Sequence, residues 1–542
     1  MTSLHLCLLD TTGIQAWLFG SNKLKDNLGG SLLAGRALGE WLTEAGNPAF
    51  GAGWDLLAPD RFLAGEGAGC LVYSGGGNAL LVARDSDCAA TAVRSLQDRL
   101  MRDAPGLGIV AGITPWDGET ASFPTALDAA WRALGAQKGE RAGQRGWDLP
   151  AVLERCSVTA GPAAVLSVSD ADRDNPRWVT RGIQARRDAV EDPLDDLATR
   201  LAGRGRNTLQ LALGQMKDDG LDVVRDLDSI RGRTGEQSLL GVVHIDANGM
   251  GDAFRRLVER GPDNPGERLG RLRAASEGVE EAAGAAIARG IDWLRRGISK
   301  PEGDGKRWLA FDLIPLHWEG KEEIRRPALP MRPVVVAGDE FTFIAEGSLA
   351  LDLAAEVAME FAGRLRRVVG FQGAEVCAGV SFGRAHAPFS RLVGQAHDVV
   401  RGVKNVARER TGSWIDWRFL GEGTDAPAPS ARPYALESSR GPSWRGLLQL
   451  VRELEAQREE HHTAWKALAE DLRSGPSAVR ERRAVWKSQG VATQREALFE
   501  QDVTRGAVDG VWLSGHRAPL ADAIQLMDLL VPRAHLRQGS GD

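Results

Sequence analysis

An α+β fold, built from one unit used twice and closed by a C-terminal helical domain, is predicted by three observations. Short apolar runs of strand character alternate with stretches of helical periodicity, first between residues 4 and 138 and again between 240 and 408. Landmark residues recur at matching intervals. Gly76 to Gly112 is 36 residues and Gly338 to Gly379 is 41, while Gly112 to Lys138 is 26 and Gly379 to Lys404 is 25. Finally, Asp10-Thr-Thr-Gly13 matches Asp246-Ala-Asn-Gly249.

The elements of the first unit follow in order. Residues 4–9, Leu-His-Leu-Cys-Leu-Leu, read as a buried strand ending at Asp10. Residues 69–83 read as a hairpin turning at Gly75-Gly76-Gly77-Asn78, because a glycine-rich tetrapeptide separates two apolar runs. Ala89, Val93, Leu96 and Leu100 are spaced for a helix over 86–102, and a strand over 108–113 and a helix near 124–138 complete the unit. The second unit repeats the order. A strand over 240–245 ends at Asp246, and a hairpin over 333–345 turns at Ala337-Gly338-Asp339-Glu340. A helix over 349–366, a strand over 375–382 and a helix near 390–408 follow.

Four segments result: 1–150, a first unit; 151–234, an Arg-, Asp- and Gly-rich stretch read as a helical insert or a linker; 235–420, a second unit; and 421–542. In the last, Leu447, Leu448, Val451 and Leu454 form one apolar stripe, and mixed charge runs such as Arg480-Glu481-Arg482-Arg483 read as solvated helix faces.

Composition narrows the function. The 542 residues are 43% hydrophobic and 26% charged, as in an ordinary soluble globular protein. No apolar run approaches the roughly 20 residues that span a bilayer, so a cytosolic protein without a membrane partner is expected. The five cysteines are scattered with no CxxC, which argues against a zinc ribbon and a disulfide framework; Cys7, Cys70 and Cys377 read as core residues. A net charge of -6 gives no global attraction to nucleic acid, so a polyanion would need a local basic patch.

The chemistry concentrates at two acid-terminated strands. Val242-Val243-His244-Ile245 ends in Asp246, and Val334-Val335-Val336 runs into the Asp339-Glu340 turn. Phosphoryl transfer needs a divalent ion to neutralise triphosphate and acidify the attacking hydroxyl, and hard cations such as Mg²⁺ or Mn²⁺ take carboxylate and carbonyl oxygens. Asp246, Asp339 and Glu340 are therefore the catalytic candidates, and the same three with Ala247 are the metal candidates. Asn248, Gly249 and Met250, ahead of a helix expected at 252–258, would offer backbone N–H groups to phosphate oxygens. Gly338 leaves room at the turn, and Lys404 is placed to reach a phosphate. In the first unit Gly77-Asn78 stand where Asp339-Glu340 stand in the second, so only Asp10 is acidic. That unit is expected to bind a nucleotide rather than act on it, with Gly76, Gly77 and Asn78 near the ligand and Ser21 and Lys23 as further phosphate contacts. Singly, these features are ordinary turn and cap chemistry. It is their joint order that points to a nucleotide site.

These residues resemble the ferredoxin-like palm domains shared by GGDEF-type diguanylate cyclases and the large polymerase-like subunit of type III CRISPR effector complexes. The similarity to the CRISPR subunit is the closer. It rests on Asp10-Thr-Thr-Gly-Ile-Gln-Ala-Trp-Leu-Phe-Gly-Ser-Asn-Lys-Leu with Gly29-Gly30-Ser31-Leu32-Leu33, on Tyr73-Ser74-Gly75-Gly76-Gly77-Asn78, on Ala337-Gly338-Asp339-Glu340-Phe341 and on Trp414-Ile415-Asp416-Trp417. The resemblance implies two facing palms that bind ATP or another NTP, with cyclic oligoadenylate made in the second. Asp246 and Asp339 would then hold metal, and Glu340 would assist metal binding or activation of the 3′ hydroxyl. The chain departs from the family pattern in three ways. No HD nuclease stands before the first palm, no four-cysteine zinc module lies between the palms, and the turn reads Ala-Gly-Asp-Glu where the family has Gly-Gly-Asp-Asp. A reduced or stand-alone relative is the expectation. The alternative is an RNA-binding scaffold subunit of a CRISPR-type ribonucleoprotein, using the Arg-rich 181–206 and the C-terminal helices alongside CRISPR-type protein subunits. A diguanylate cyclase proper is disfavoured, because no Arg-x-x-Asp motif precedes Ala337. Oligomeric state is not legible.

Overall fold

The computed structural model describes residues 4–44, 50, 53–142, 154–159, 161–167, 176–190, 207–230, 239–299, 308–319, 325–421, 430–437, 442–489 and 518–532. The architecture is mixed α+β, as expected, with two main antiparallel-centred sheets. The first sheet comes from β1 (Leu4–Thr12), β2 (Gly69–Gly75), β3 (Asn78–Ala83) and β4 (Gly108–Trp116), in the order β2-β3-β1-β4. Its helices are α1 (Ile14–Phe19), α2 (Leu24–Leu38), α3 (Ser86–Asp103) and α4 (Phe123–Ala142). Both faces of β1 are covered, which is why its sequence is continuously apolar instead of alternating. Leu6 and Leu8 pack with the Ala126–Leu134 stretch of α4, and Cys7 and Leu9 pack with Ala89, Val93 and Leu96 of α3. Asp85 caps α3 by accepting from the Cys88 backbone N–H at 2.7 Å.

The second sheet contains β5 (Leu239–Asn248), β6 (Met331–Ala337), β7 (Glu340–Glu346), β8 (Glu375–Arg384), β9 (Trp414–Phe419) and β10 (Tyr434–Ala435), in the order β6-β7-β5-β8-β9-β10. Its helices are α5 (Met250–Glu259), α6 (Pro265–Arg296), α7 (Ala350–Leu365) and α8 (Phe389–Glu409).

The first four strands of this sheet repeat the first sheet position by position. Asp10 faces Asn78 in β3, and Asp246 faces Glu340 in β7. The hairpins carry the same register shift three residues before the turn, between Leu71 and Tyr73 and between Pro333 and Val335. Even the turn hydrogen bonds correspond: Thr11 N–H donates to the Gly77 carbonyl and Ala247 N–H to the Asp339 carbonyl, both at 3.0 Å. A Cβ on Gly112 would lie 2.1 Å from the Ala130 carbonyl oxygen, and one on Gly379 would lie 2.8 Å from that of Ala396. Glycine therefore lets α4 and α8 sit directly on their sheets.

Several boundaries differ from expectation. β1 continues through Asp10 to Thr12, and β5 continues through Asp246 to Asn248, because pairing to β4 and β8 carries on past the acids. Ala247 and Asn248 are consequently strand residues, and α5 starts at Met250 instead of 252. Periodicity does not single out α6 in advance. Its 32 residues bury a face rich in Ala275, Ala282, Ala283, Gly284, Ala285 and Ala286, so the apolar signal is diluted. Asn264 caps it by accepting from the Glu267 N–H at 3.1 Å. α6 packs on β2 of the first sheet while α2 packs on β6 of the second, so a helix of each unit lies against the other's hairpin.

Within 151–234, the strands Val165–Ser167 and Arg177–Val179 pair, and helix Arg181–Ala189 lies against α2 with Arg187 bonded to Asp26 at 2.9 Å. Helix Asn207–Asp218 lies against α6. The helical patch expected at 193–201 lies outside the described residues, as do 191–206 of the Arg-rich stretch. In the C-terminal segment Leu447, Val451 and Leu454 are buried and Leu448 is partly so. The expected solvated run is helical, and Arg482 pairs with Asp471 at 2.5 Å. All five cysteines are buried and free. No helix among the described residues is long and apolar enough to cross a membrane.

Candidate nucleotide and metal site

Register builds the site. Asp246 is paired across the sheet with Glu340 on β7 and with Cys377 on β8, so the Asp246 and Glu340 side chains rise from one face. His244, two residues earlier on β5, shares that face. Donor atoms of His244, Asp246 and Glu340 all lie within 4.8 Å of one another. Asp339 occupies the β6–β7 turn beside them. Lys404, from the last turns of α8, donates to Asp246 Oδ2 at 2.5 Å.

Half-burial of three acids behind a single ammonium sets the electrostatics. Burial pushes the Asp339 carboxyl up to about 6, with the Asp246 charge adding to the effect. Burial, then Asp246 and Asp339, push Glu340 up to about 7, although Lys404 and a hydrogen bond from Gln15 pull the other way. Asp246 is also raised by burial, against the opposing pull of Lys404. His244 is held well below the usual imidazole range by burial and by the neighbouring His397 and Lys404. A divalent cation would relieve this carboxylate crowding, and the oxygen-rich donor set suits Mg²⁺ or Mn²⁺.

The two units meet at their turns. Gly338 (φ 60°) and Gly76 (φ 59°) approach so closely that a Cβ on Gly338 would lie 3.1 Å from Gly76 N, and one on Gly76 would lie 3.4 Å from Asp339 Oδ1. From α1 of the first unit, Gln15 Nε2 donates to Glu340 Oε1 at 2.9 Å. Behind the turns a cleft of about 760 Å³ is lined by Gly76, Gly77 and Gly338 with Ser31 of α2 and Arg273 and Ser276 of α6. Asp246, Asp339 and Glu340 are not among the residues that line that cleft.

Other expected residues are placed as follows. Gly76, Gly77, Gly338, Asp339, Glu340, Asp246 and Lys404 come together. Asn78 stands opposite Asp10, where the second unit has Glu340, and Asp10 pairs with Lys138 as Asp246 pairs with Lys404. Ala247 has its side chain in the core. Asn248 donates to Cys377 Sγ at 3.1 Å, and its buried Oδ1 has no hydrogen-bond partner among the described residues. Gly249 is the exposed, left-handed cap of α5 (φ 69°), while Met250 is buried. Ser21 stands apart from the site. It is buried and its hydroxyl donates to Asp26 Oδ2 at 2.7 Å, which organises the start of α2. Lys23 is the exposed cap residue of α2. Neighbouring Asn22 accepts from Ser390 Oγ at 3.1 Å, tying this segment to α8.

Three contributors escaped the sequence reading. Lys138 was visible as a repeat landmark but not as the ion-pair partner of Asp10. His244 could be found from the two-residue period of the strand. Gln15 carries no local signal at all, since its partner lies 325 residues away.

No protein-family model and no curated protein matches the sequence. Among solved structures, the Csm1–Csm4 cassette in complex with pppApApA matches 97% of this chain and 69% of its own, at 14% identity and a TM-score of 0.52. The fold is that of Csm1. The apo Csm1–Csm4 cassette matches 77% of this chain at 14% identity and a TM-score of 0.42. Csm1 of T. onnurineus matches 97% at 13% identity and a TM-score of 0.46. The chain spans 54% of the apo Csm1 and about 70% of the T. onnurineus Csm1. At these identities the likeness to Csm1 is one of fold, and it agrees with the CRISPR-subunit resemblance of the sequence motifs.

Proposed function

We propose that the chain is a metal-dependent nucleotidyl transferase that joins NTPs, ATP foremost, into a cyclic oligonucleotide signal of the cyclic oligoadenylate type, serving antiviral defence. The carrying observation is the Asp246–Glu340 cross-strand pair with Asp339 at the adjoining turn and Lys404 behind it. In this reading the segments 1–150 and 235–420 are two palms. The second is catalytic and the first is a nucleotide-holding partner, because Asn78 replaces Glu340 at the equivalent position. Mg²⁺ or Mn²⁺, held by Asp246, Asp339 and Glu340, would neutralise the triphosphate and acidify the 3′ hydroxyl. Lys404 balances charge at Asp246 and becomes available to a phosphate when a cation takes over that carboxylate. Gly76 and Gly338 let the two turns touch, and the cleft behind them has the size of a nucleotide pocket. The Csm1 of similar fold was solved with pppApApA and with Csm4, which supports an adenylate ligand and a Csm4-like protein partner for this chain.

The test is incubation with each labelled NTP and Mg²⁺ or Mn²⁺, followed by mass spectrometry. A phosphatase-resistant cyclic product and pyrophosphate are expected from the wild type and neither from Asp339→Ala. If no NTP gives a product under any metal, the transferase reading is wrong.

A further inference from the structure

The second unit differs from its copy in a part of the site that no carboxylate explains. At the position equivalent to His244 the first unit has Leu8, and opposite it, where β7 has Thr342, β3 has Leu80. On the covering helix, Trp131 stands where α8 has His397, since Ala130 and Ala396 occupy matching places over Gly112 and Gly379. The fold is thus satisfied by a leucine pair at this level of the sheet. A buried polar pair appears only in the unit that also carries the acids.

The imidazole is firmly held. His244 is 2% exposed, its Nδ1 lies 3.0 Å from Thr342 Oγ1, and its ring stacks on that of His397 with centroids 3.7 Å apart. A ring fixed at one nitrogen and on one face is the arrangement that orients an imidazole for ligation. The ring lies in the same 4.8 Å cluster of donors as Asp246 and Glu340.

We propose that His244 is a nitrogen ligand of the cation site, with Thr342 and His397 orienting its ring, and that it tunes the site toward Mn²⁺ over Mg²⁺. This rests on the reading of Asp246 and Glu340 as the cation site. Nitrogen donors favour first-row transition ions, whereas Mg²⁺ holds to oxygen. An all-oxygen site would not make that distinction to the same degree.

Two measurements test it, neither of which needs turnover. Pulsed electron paramagnetic resonance of the Mn²⁺-loaded wild type should show ¹⁴N modulation from one imidazole, replaced by the ¹⁵N pattern after ¹⁵N-histidine labelling. Absence of nitrogen coupling overturns the proposal. Calorimetric titration with Mn²⁺ and with Mg²⁺ should show the ratio of their affinities falling about tenfold in His244→Leu, which copies Leu8 of the first unit, and less in Thr342→Val. An unchanged ratio in His244→Leu overturns the proposal while leaving the carboxylate site standing, provided Asp246→Asn abolishes binding of both ions. Binding that survives Asp246→Asn unchanged overturns the carboxylate reading and this proposal together.

Discussion

Gln15 Nε2 donates to Glu340 Oε1 at 2.9 Å, so a side chain from the first unit holds a carboxylate of the second. The contact makes the acid-poor unit a structural partner in the site. Gln15→Leu should leave the fold intact and lower product formation by about ten- to a hundredfold, the range of a lost orienting contact. Gln15→Asn, with a shorter reach, should fall between. Steady-state rates for the three proteins decide the matter, and equal rates would remove Gln15 from any positioning role.

Asp246→Asn and Asp339→Asn should each lower turnover by at least about a hundredfold, because each removes charge that a cation requires. Asp10→Asn in the first unit removes the equivalent acid and should leave metal binding by the second unit intact. Parallel assays of the three variants read the asymmetry between units directly.

The raised carboxyls predict a pH dependence whose sign follows from linkage. Glu340 at about 7 and Asp339 at about 6 keep protons in the folded, metal-free protein that the unfolded chain releases near 4 to 4.5. The folded state therefore binds more protons across roughly pH 4–7, and these groups make stability fall as pH rises through that window. Glu340→Gln removes one contribution. In EDTA its melting temperature should exceed that of the wild type at pH 8, with a smaller difference at pH 5.5. Cation affinity should run the opposite way and climb through pH 6–7, since protons and metal compete for the same oxygens.

Lys404 is the counter-charge of Asp246 at 2.5 Å. Lys404→Met should lower the melting temperature in EDTA, because a half-buried carboxylate is left uncompensated. Added Mn²⁺ should restore much of the loss. Lys138→Met breaks the corresponding pair in the first unit, where the lysine side chain is 43% exposed, and should cost less.

Gly338→Ala tests the meeting of the turns. The φ of 60° costs an alanine about 1 kcal/mol, and its Cβ would press on Gly76 N at 3.1 Å. Destabilisation of about 1–3 kcal/mol by denaturant titration is expected, with loss of turnover exceeding what the stability change explains.

The sequence by itself determined the duplicated order of strands and helices and the acid carried by the first strand of each unit. It also determined the asymmetry between Gly77-Asn78 and Asp339-Glu340. These are local features: apolar period, turn glycines and residue identity are written into a few neighbouring positions. Where strands end was less legible, because pairing to β4 and β8, not the arrival of an acid, decides it. The surroundings of Ser21 were illegible for a related reason, as its hydroxyl is taken up by Asp26 within the fold. Helix α6 was hidden by small residues whose burial only makes sense against β2 and α7. Only the tertiary structure decided that the two turns touch, that Gln15 reaches Glu340, and that Glu340 stands across the sheet from Asp246 and near His244. Each depends on register or on packing between segments far apart in the sequence, and no short window encodes such a contact.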